Sequence, residues 1–301
     1  MENAHAVGIL GPVNAPSLNG LVQDVRAGIG DRLFARVAGP DGPRRRERVH
    51  DTQGPRWFED GSPIQRVHGD ASMFVGGIRA LLLQSLHPLA MAGVAEHSGF
   101  QGDPWGRLQR TSYFLAVTTF GTAEDAERMV AAVRAVHERV VGTAPDGRAY
   151  AASDPHLLRW VHVAEIDSFL TAHQRYGAQP LDAADRDTYV AQSARVAEAL
   201  GVDDAPRTEA ELREQLAAYR PELASTPAAR EAARFLLLNP PLPVLARAPY
   251  AGLAASAVST LPLWARRKLL LPYLPVTERV LIRTTGLALT RTIRWAMVDP
   301  R

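Results

Sequence analysis

Cysteine is absent from this chain of 301 residues. Its absence excludes disulfides, thiolate zinc sites, iron–sulfur clusters and thiolate-ligated haem together. A metal held here must use histidine, carboxylate, lysine or tyrosine. An excess of charge is lacking too, since 34 Lys and Arg stand against 32 Asp and Glu, a formal charge of +2. The compact basic runs Arg44-Arg45-Arg46 and Arg266-Arg267-Lys268 are too short for a nucleic-acid footprint and read as solvated surface, so no nucleic acid is expected as a partner. The segment Met1–Leu10 lacks the basic region and long apolar stretch of a secretory signal, which makes a cytoplasmic location the expectation.

Long apolar runs are also missing. The most membrane-like region, residues 234–275, is cut by Arg247, Arg266, Arg267, Lys268 and several prolines, short of the roughly 18 residues that a spanning helix needs. No transmembrane segment is expected. Leu269–Pro275 reads as a buried C-terminal helix with a proline stop; peripheral contact with a bilayer or the guarding of an apolar tunnel are its other readings.

What is present is a 46% hydrophobic composition, enough for a substantial core. Residues 1–70, rich in Gly, Pro, Arg and Asp, read as an N-terminal arm with one or two short helices packed on the body, and residues 71–301 as one helical domain. Met73–His87 is apolar nearly all round and predicts a buried central helix ended at Pro88. Pro104 to Gly121 predicts a second helix, and Thr122 caps a third running to Gly142. Asp154-Pro155 opens a helix reaching Tyr176, and later helices are signalled at Asp182–Leu200, Thr208 with Glu211, and Thr226-Pro227 to Leu238. Nothing suggests alternating strands, so the expectation is an all-α fold, a single multi-helix bundle.

The chemistry must be sought among nine histidines. His5, His50 and His68 lie in polar segments with no assigned role, while capping or solvation accounts for His156 and His173 at helix ends. His87, His97, His137 and His162 remain. His137 shares the 3.6-residue face of Ala126, Met129, Val130, Val133 and Val140, an aliphatic wall beside which a neutral imidazole can ligate iron. One turn after His162, Glu165 is placed to accept a proton from that ring. Arg107, Arg110 and Thr111 stand at i, i+3 and i+4 of the preceding helix and offer two cations and a hydroxyl to an anion. Zinc-protease, nucleophile-elbow, phosphate-loop and dinucleotide fingerprints are missing, and Glu-x-x-His occurs once only, at Glu47 and His50, which argues against a di-iron bundle.

Five blocks taken together carry a resemblance. They are Gln84–Phe100, Asp103–Thr111, Phe120–Ala123, Val133–Gly142 and Asp154–His162. With them the chain resembles the MpaB-type oxygenase family, which includes the rubber oxygenases called latex-clearing proteins, over roughly residues 70–290. The resemblance implies an all-helical, globin-like bundle around a non-covalent b-type haem whose iron is the metal. His137 matches the proximal ligand, with His162 as reserve, and Arg107 and Thr111 match the distal-side arginine and threonine. Arg110 stands where the rubber oxygenases carry a ligating lysine. A guanidinium does not deprotonate readily enough to ligate iron, so no lysine-capped resting state is expected. Glu96 is the candidate base, with His97 and His87 as substitutes, and His87 is a further candidate at the cofactor.

The reading that results is a haem b-dependent oxygenase acting with dioxygen on an apolar small molecule. A peroxidase or peroxygenase using peroxide on the same scaffold, an all-helical ligand-binding protein, and a haem storage or sensing protein stand as alternatives.

Overall fold

The computed structural model describes residues 18–98 and 102–297. The amino-terminal segment with His5, and Gly99 and Phe100 of the first motif block, lie outside the described residues. The fold is all-α. Three helices, α1 (Leu18–Ala38), α2 (Gly42–Asp51) and α3 (Pro63–His68), precede the central α4 (Met73–Gln84). The first is a single helix of 21 residues where the sequence suggests shorter ones. Its glycines lower helix propensity, and Gly30 serves packing: a Cβ there would stand 2.5 Å from the Ala296 carbonyl oxygen.

The central helix stops at Gln84, three residues before the expected end, because Pro88 holds His87 extended (φ −86°, ψ 115°). His87 then caps the short α5 (Pro88–Gly93), which runs into a π-helical turn at Val94–Ser98. Next come α6 (Pro104–Phe120) and α7 (Ala123–His137), an antiparallel pair turning at Gly121 and Thr122. Asp103 caps the first through the Gly106 N–H, and Thr122 caps the second through the Asp125 N–H. The latter ends at His137 instead of reaching Gly142. Val141 onward forms β1 (Val141–Thr143), paired antiparallel with β2 (Ala149–Ala151) about a turn that includes Gly147 at φ +85°. Strands of three residues are too short to show alternation in sequence.

The rest of the chain is α8 (Pro155–Tyr176), α9 (Ala183–Leu200), α10 (Glu209–Ala218), α11 (Pro227–Leu238), α12 (Val244–Thr260), α13 (Leu263–Leu269), α14 (Pro275–Thr277), a π-helical turn at Glu278–Ile282 and α15 (Arg283–Met297). The expectation of a buried helix across Leu269–Pro275 is corrected: Leu269 is buried, but Leu270 adopts φ +56° and residues 272–277 are all exposed. Pro272 and Pro275 bar helix continuation there.

The core is built where α4 crosses α8, with α12 on the flank of α4. Gly76 allows the close approach, since a Cβ there would stand 3.2 Å from the Phe169 Cα. Val75, Leu82, Leu83 and Leu86 of this region meet Trp160, Val163 and Phe169, all buried. Arg79, 2% exposed, lies among them. Its Nη1 donates to Ser168 Oγ at 2.7 Å, its Nη2 pairs with Asp167 Oδ2 at 2.7 Å, and its Nε donates to the Thr260 carbonyl at 3.2 Å. The pairs α4–α8 and α6–α7 are tied together through α3 and α9, while α1 spans α6 and α15. Among the described residues no single helix is long and apolar enough to cross a membrane; the two helical stretches Met73–Gln84 and Pro88–His97 pass only as a pair bent by 105°.

Two substitutions check this core. Arg79→Met leaves the Asp167 carboxylate without its cation and is expected to cost about 3–5 kcal/mol in urea unfolding. Gly76→Ala forces Phe169 aside and is expected to cost about 1–3 kcal/mol.

Candidate functional site

The α6–α7 hairpin sets the first wall. Arg107 lies ~20 Å before the end of α6 and His137 ~21 Å beyond the start of α7, at 1.5 Å per residue. An antiparallel pair therefore brings both to the same open end, with Thr111 one turn along from Arg107. Arg107 is half-buried and desolvation lowers its pKa, while Arg110 is exposed and donates to Asp103 at 3.2 Å. The two cations thus differ in solvation, and Arg110 is engaged with the carboxylate that caps the helix. Thr111 is exposed. His137 is half-buried, and its Nδ1 is fully buried without a hydrogen-bond partner. Burial lowers its pKa, so the ring is neutral at neutral pH.

The second wall is the α4–α8 pair. Phe74, Gly77 and Leu81, at i, i+3 and i+7 of the central helix, remain partly accessible, and Leu81 is 37% exposed in the midst of buried neighbours. Nothing lies within 4 Å of where a Cβ on Gly77 would stand. Adjacent glycines therefore do opposite things, Gly76 closing a contact and Gly77 leaving space. On α8, His162 and Glu165 are one turn apart. The Nε2 of His162 is buried with no partner, and desolvation pushes this imidazole down to about 4. Glu165 is half-buried, and desolvation pushes its carboxyl up to about 7.

These residues fit a flat, apolar, metal-centred group. The ring nitrogens left without a partner on His137 and His162 are neutral and able to ligate, nothing occupies the position of a Cβ on Gly77, which shares a helix face with Phe74 and Leu81, and Arg107 is a desolvated cation. A lysine ligand has no source at this site. The chain's only lysine, Lys268, donates its Nζ to the Leu223 carbonyl at 2.7 Å.

The remaining candidates are placed elsewhere. Glu96 is exposed in the π-helical turn and accepts a hydrogen bond from the Tyr150 hydroxyl, whose pKa is raised to about 12. The Nε2 of His97, also exposed, lies 3.2 Å from the Val141 carbonyl. His87 joins His156 and Glu222, the one cluster among the described residues with the spacing of a three-ligand metal site. Its Nε2 lies 3.4 Å from Glu222 Oε2, and His156 Nε2 lies 2.8 Å from the same oxygen. His87 Nδ1 accepts the Ala90 N–H, so the ring proton sits on Nε2 and points at the carboxylate. That tautomer makes the trio a hydrogen-bonded cluster in which His87 has no lone pair left for a metal.

Two histidines differ from the sequence reading. His68 is enclosed, with Nδ1 2.8 Å from Thr119 Oγ1 and Nε2 3.4 Å from the Tyr189 hydroxyl, and His173 is 2% exposed rather than solvated. Their partners come from distant segments, so no local signal marks them. Gly77 was also missed, although the Gly76-Gly77 pair inside an apolar helix was a legible cue.

The fold is all-helical, and it leaves a buried ring nitrogen without a partner on each of His137 and His162 and a desolvated arginine at Arg107. The chain belongs to the family described as ER-bound oxygenase mpaB/B'/Rubber oxygenase, catalytic domain, whose profile matches residues 65–295. It is thereby a member of an oxygenase family. It is also similar to an uncharacterized protein of Mycobacterium bovis and one of Mycobacterium tuberculosis, each 33% identical over 102 residues. That match covers 34% of this chain and 39% of each relative. No solved structure matches the chain.

The opposed shifts on α8 generate a pH prediction. Glu165 has a raised pKa, so the folded state holds its proton longer than the unfolded state, and its ionisation destabilises the fold as pH climbs from about 4.5 to about 7. His162 has a depressed pKa, so its share of stability grows as pH climbs from about 4 to about 6.5. Glu165→Gln removes the first effect alone. Measured by urea unfolding across pH 5–8, the variant should gain stability relative to wild type as pH rises; parallel curves would refute the assignment.

Proposed function

We propose that this chain is a haem b-dependent oxygenase that acts on an apolar small molecule with dioxygen. The observation that carries the reading is a buried ring nitrogen without a partner on each of the neutral imidazoles His137 and His162. Membership of an oxygenase family supports it independently.

In this reading His137 is the iron ligand, because it shares the open end of the hairpin with Arg107 and Thr111, and His162 is the reserve. When bound, a b-type haem supplies one-electron redox chemistry and the iron that engages dioxygen. The chain's own residues do the rest. Arg107 donates to an acidic substituent or to negative charge developing on oxygen, and its desolvation strengthens that interaction. Thr111 adds a hydroxyl donor on the same helix face. Phe74 and Leu81 exclude water and hold an apolar substrate. Arg110, engaged with Asp103, holds the start of α6 in place. As proton acceptor we favour Glu165 over Glu96, since a carboxyl titrating near neutrality can take a proton from substrate at its oxygen and return it. Glu96 is exposed and engaged with Tyr150.

The test is an absorption spectrum of the purified protein with and without dithionite. A Soret band that shifts on reduction is expected, and colourless protein that takes up no added haem would overturn the reading. His137→Ala should lose that band; if it keeps an unchanged spectrum while His162→Ala loses it, His162 is the ligand. Gly77→Leu places a side chain in the slot and should abolish haem uptake without lowering the melting temperature, because leaving glycine at a helix interior gains about 0.8–1 kcal/mol. Arg107→Ala should keep haem and lower dioxygen consumption about 100-fold or more.

A further inference from the structure

We propose that the segment from Leu270 to Arg283 is a docking surface for an anionic lipid bilayer, on which the protein sits without spanning it. Within it Leu270 is 79% exposed, Val276 77%, and Val280 and Leu281 62% each, while Tyr273 and Leu274 are more than half exposed. All six lie within twelve residues of the chain. A flexible loop would fold such groups inward, but this one is pinned with its apolar side out. Arg266 and Glu278, both buried, form a two-pronged pair at 2.6 and 3.1 Å. The same guanidinium reaches the Pro272 carbonyl at 3.4 Å and lies 5.5 Å from the Tyr273 ring centroid, and Glu278 Oε1 accepts the Leu274 N–H at 3.0 Å.

Charge selects the occupant. Between residues 232 and 297 the chain carries nine Lys and Arg but a single carboxylate, Glu278, already consumed by Arg266. Arg267, Arg279 and Arg283 at the edge of the patch are exposed and form no ion pair among the described residues. A second copy of this chain meeting the patch face to face would bring these cations against their own kind. An anionic lipid surface offers the complementary charge together with an apolar layer for Leu270, Leu274, Val276, Val280 and Leu281, and Tyr273 has the amphipathic ring favoured at a headgroup boundary. The inference does not depend on the cofactor.

Sedimentation of the full-length protein with vesicles tests it. Wild type should bind mixed phosphatidylcholine–phosphatidylglycerol vesicles at least tenfold more tightly than pure phosphatidylcholine vesicles, an advantage lost at high salt. Val280→Glu with Leu281→Glu should weaken binding about tenfold or more, and Arg279→Gln with Arg283→Gln should do so for the anionic vesicles alone. All four side chains are exposed, so circular dichroism and melting should match wild type. Absence of binding to anionic vesicles overturns the proposal. So does unchanged binding by both folded variants, as does a concentration-dependent dimer, abolished by the glutamate variant, in protein that ignores vesicles.

Discussion

A guanidinium in the middle of an apolar helix holds this molecule together. Arg79 reaches Ser168 and Asp167 on α8 and the Thr260 carbonyl at the end of α12, so one cation fixes the three elements that form the core. Gly76 on the same helix brings the backbones close enough for those bonds to form. The register of the central pair follows, and with it the direction in which the opposite face of the helix, Phe74, Gly77 and Leu81, must look. The positions of Phe74, Gly77 and Leu81 thus follow from the contacts that this buried cation makes.

Desolvation is the common cause of the chemistry offered there. It holds His137 and His162 neutral, keeps Glu165 protonated up to about neutrality, and leaves Arg107 charged but short of water. Low local dielectric penalises each of these groups alone and strengthens whatever interaction each makes with a ligand. Each of them is therefore costly to bury without a partner. The α6–α7 wall is secured at its far end by Asp125, which accepts from Arg48 at 2.8 Å and from Arg128 at 2.5 Å, so the hairpin turn is clamped to α2. Its other end carries Arg107 and His137.

Charge in this molecule is balanced in total and uneven in space. The C-terminal third gathers cations around a rigid apolar edge, whereas elsewhere carboxylates and guanidinium groups mostly meet in pairs such as Arg66 with Asp185 and Arg186 with Glu209. A bulk count of +2 conceals that segregation. The α4–α8 core and the apolar edge are built from different segments and held by different buried arginines, Arg79 by Asp167, Ser168 and the Thr260 carbonyl, and Arg266 by Glu278 and the Leu261 carbonyl.

Much of this architecture was legible in the chain itself. Asp103, Thr122, Asp154, Asp182, Thr208 and Thr226 are each observed as helix caps, because capping is a local contest between a side chain and four orphan N–H groups. The same locality made the one-face spacing of His137 with Val130 and Val133 readable. The β1–β2 hairpin, the length of α1, the enclosure of His68 and His173 and the cluster of His87, His156 and Glu222 were not, since each depends on partners far along the chain. By itself the sequence determined the helices, their order and the types of group available for chemistry. Only the tertiary structure decided that Arg110 pairs with Asp103 while Arg107 is desolvated, that burial brings the Glu165 carboxyl up to about 7, and that Leu270, Val276, Val280 and Leu281 face solvent. Burial is a property of packed elements, and it is burial that sets pKa, pairing and exposure.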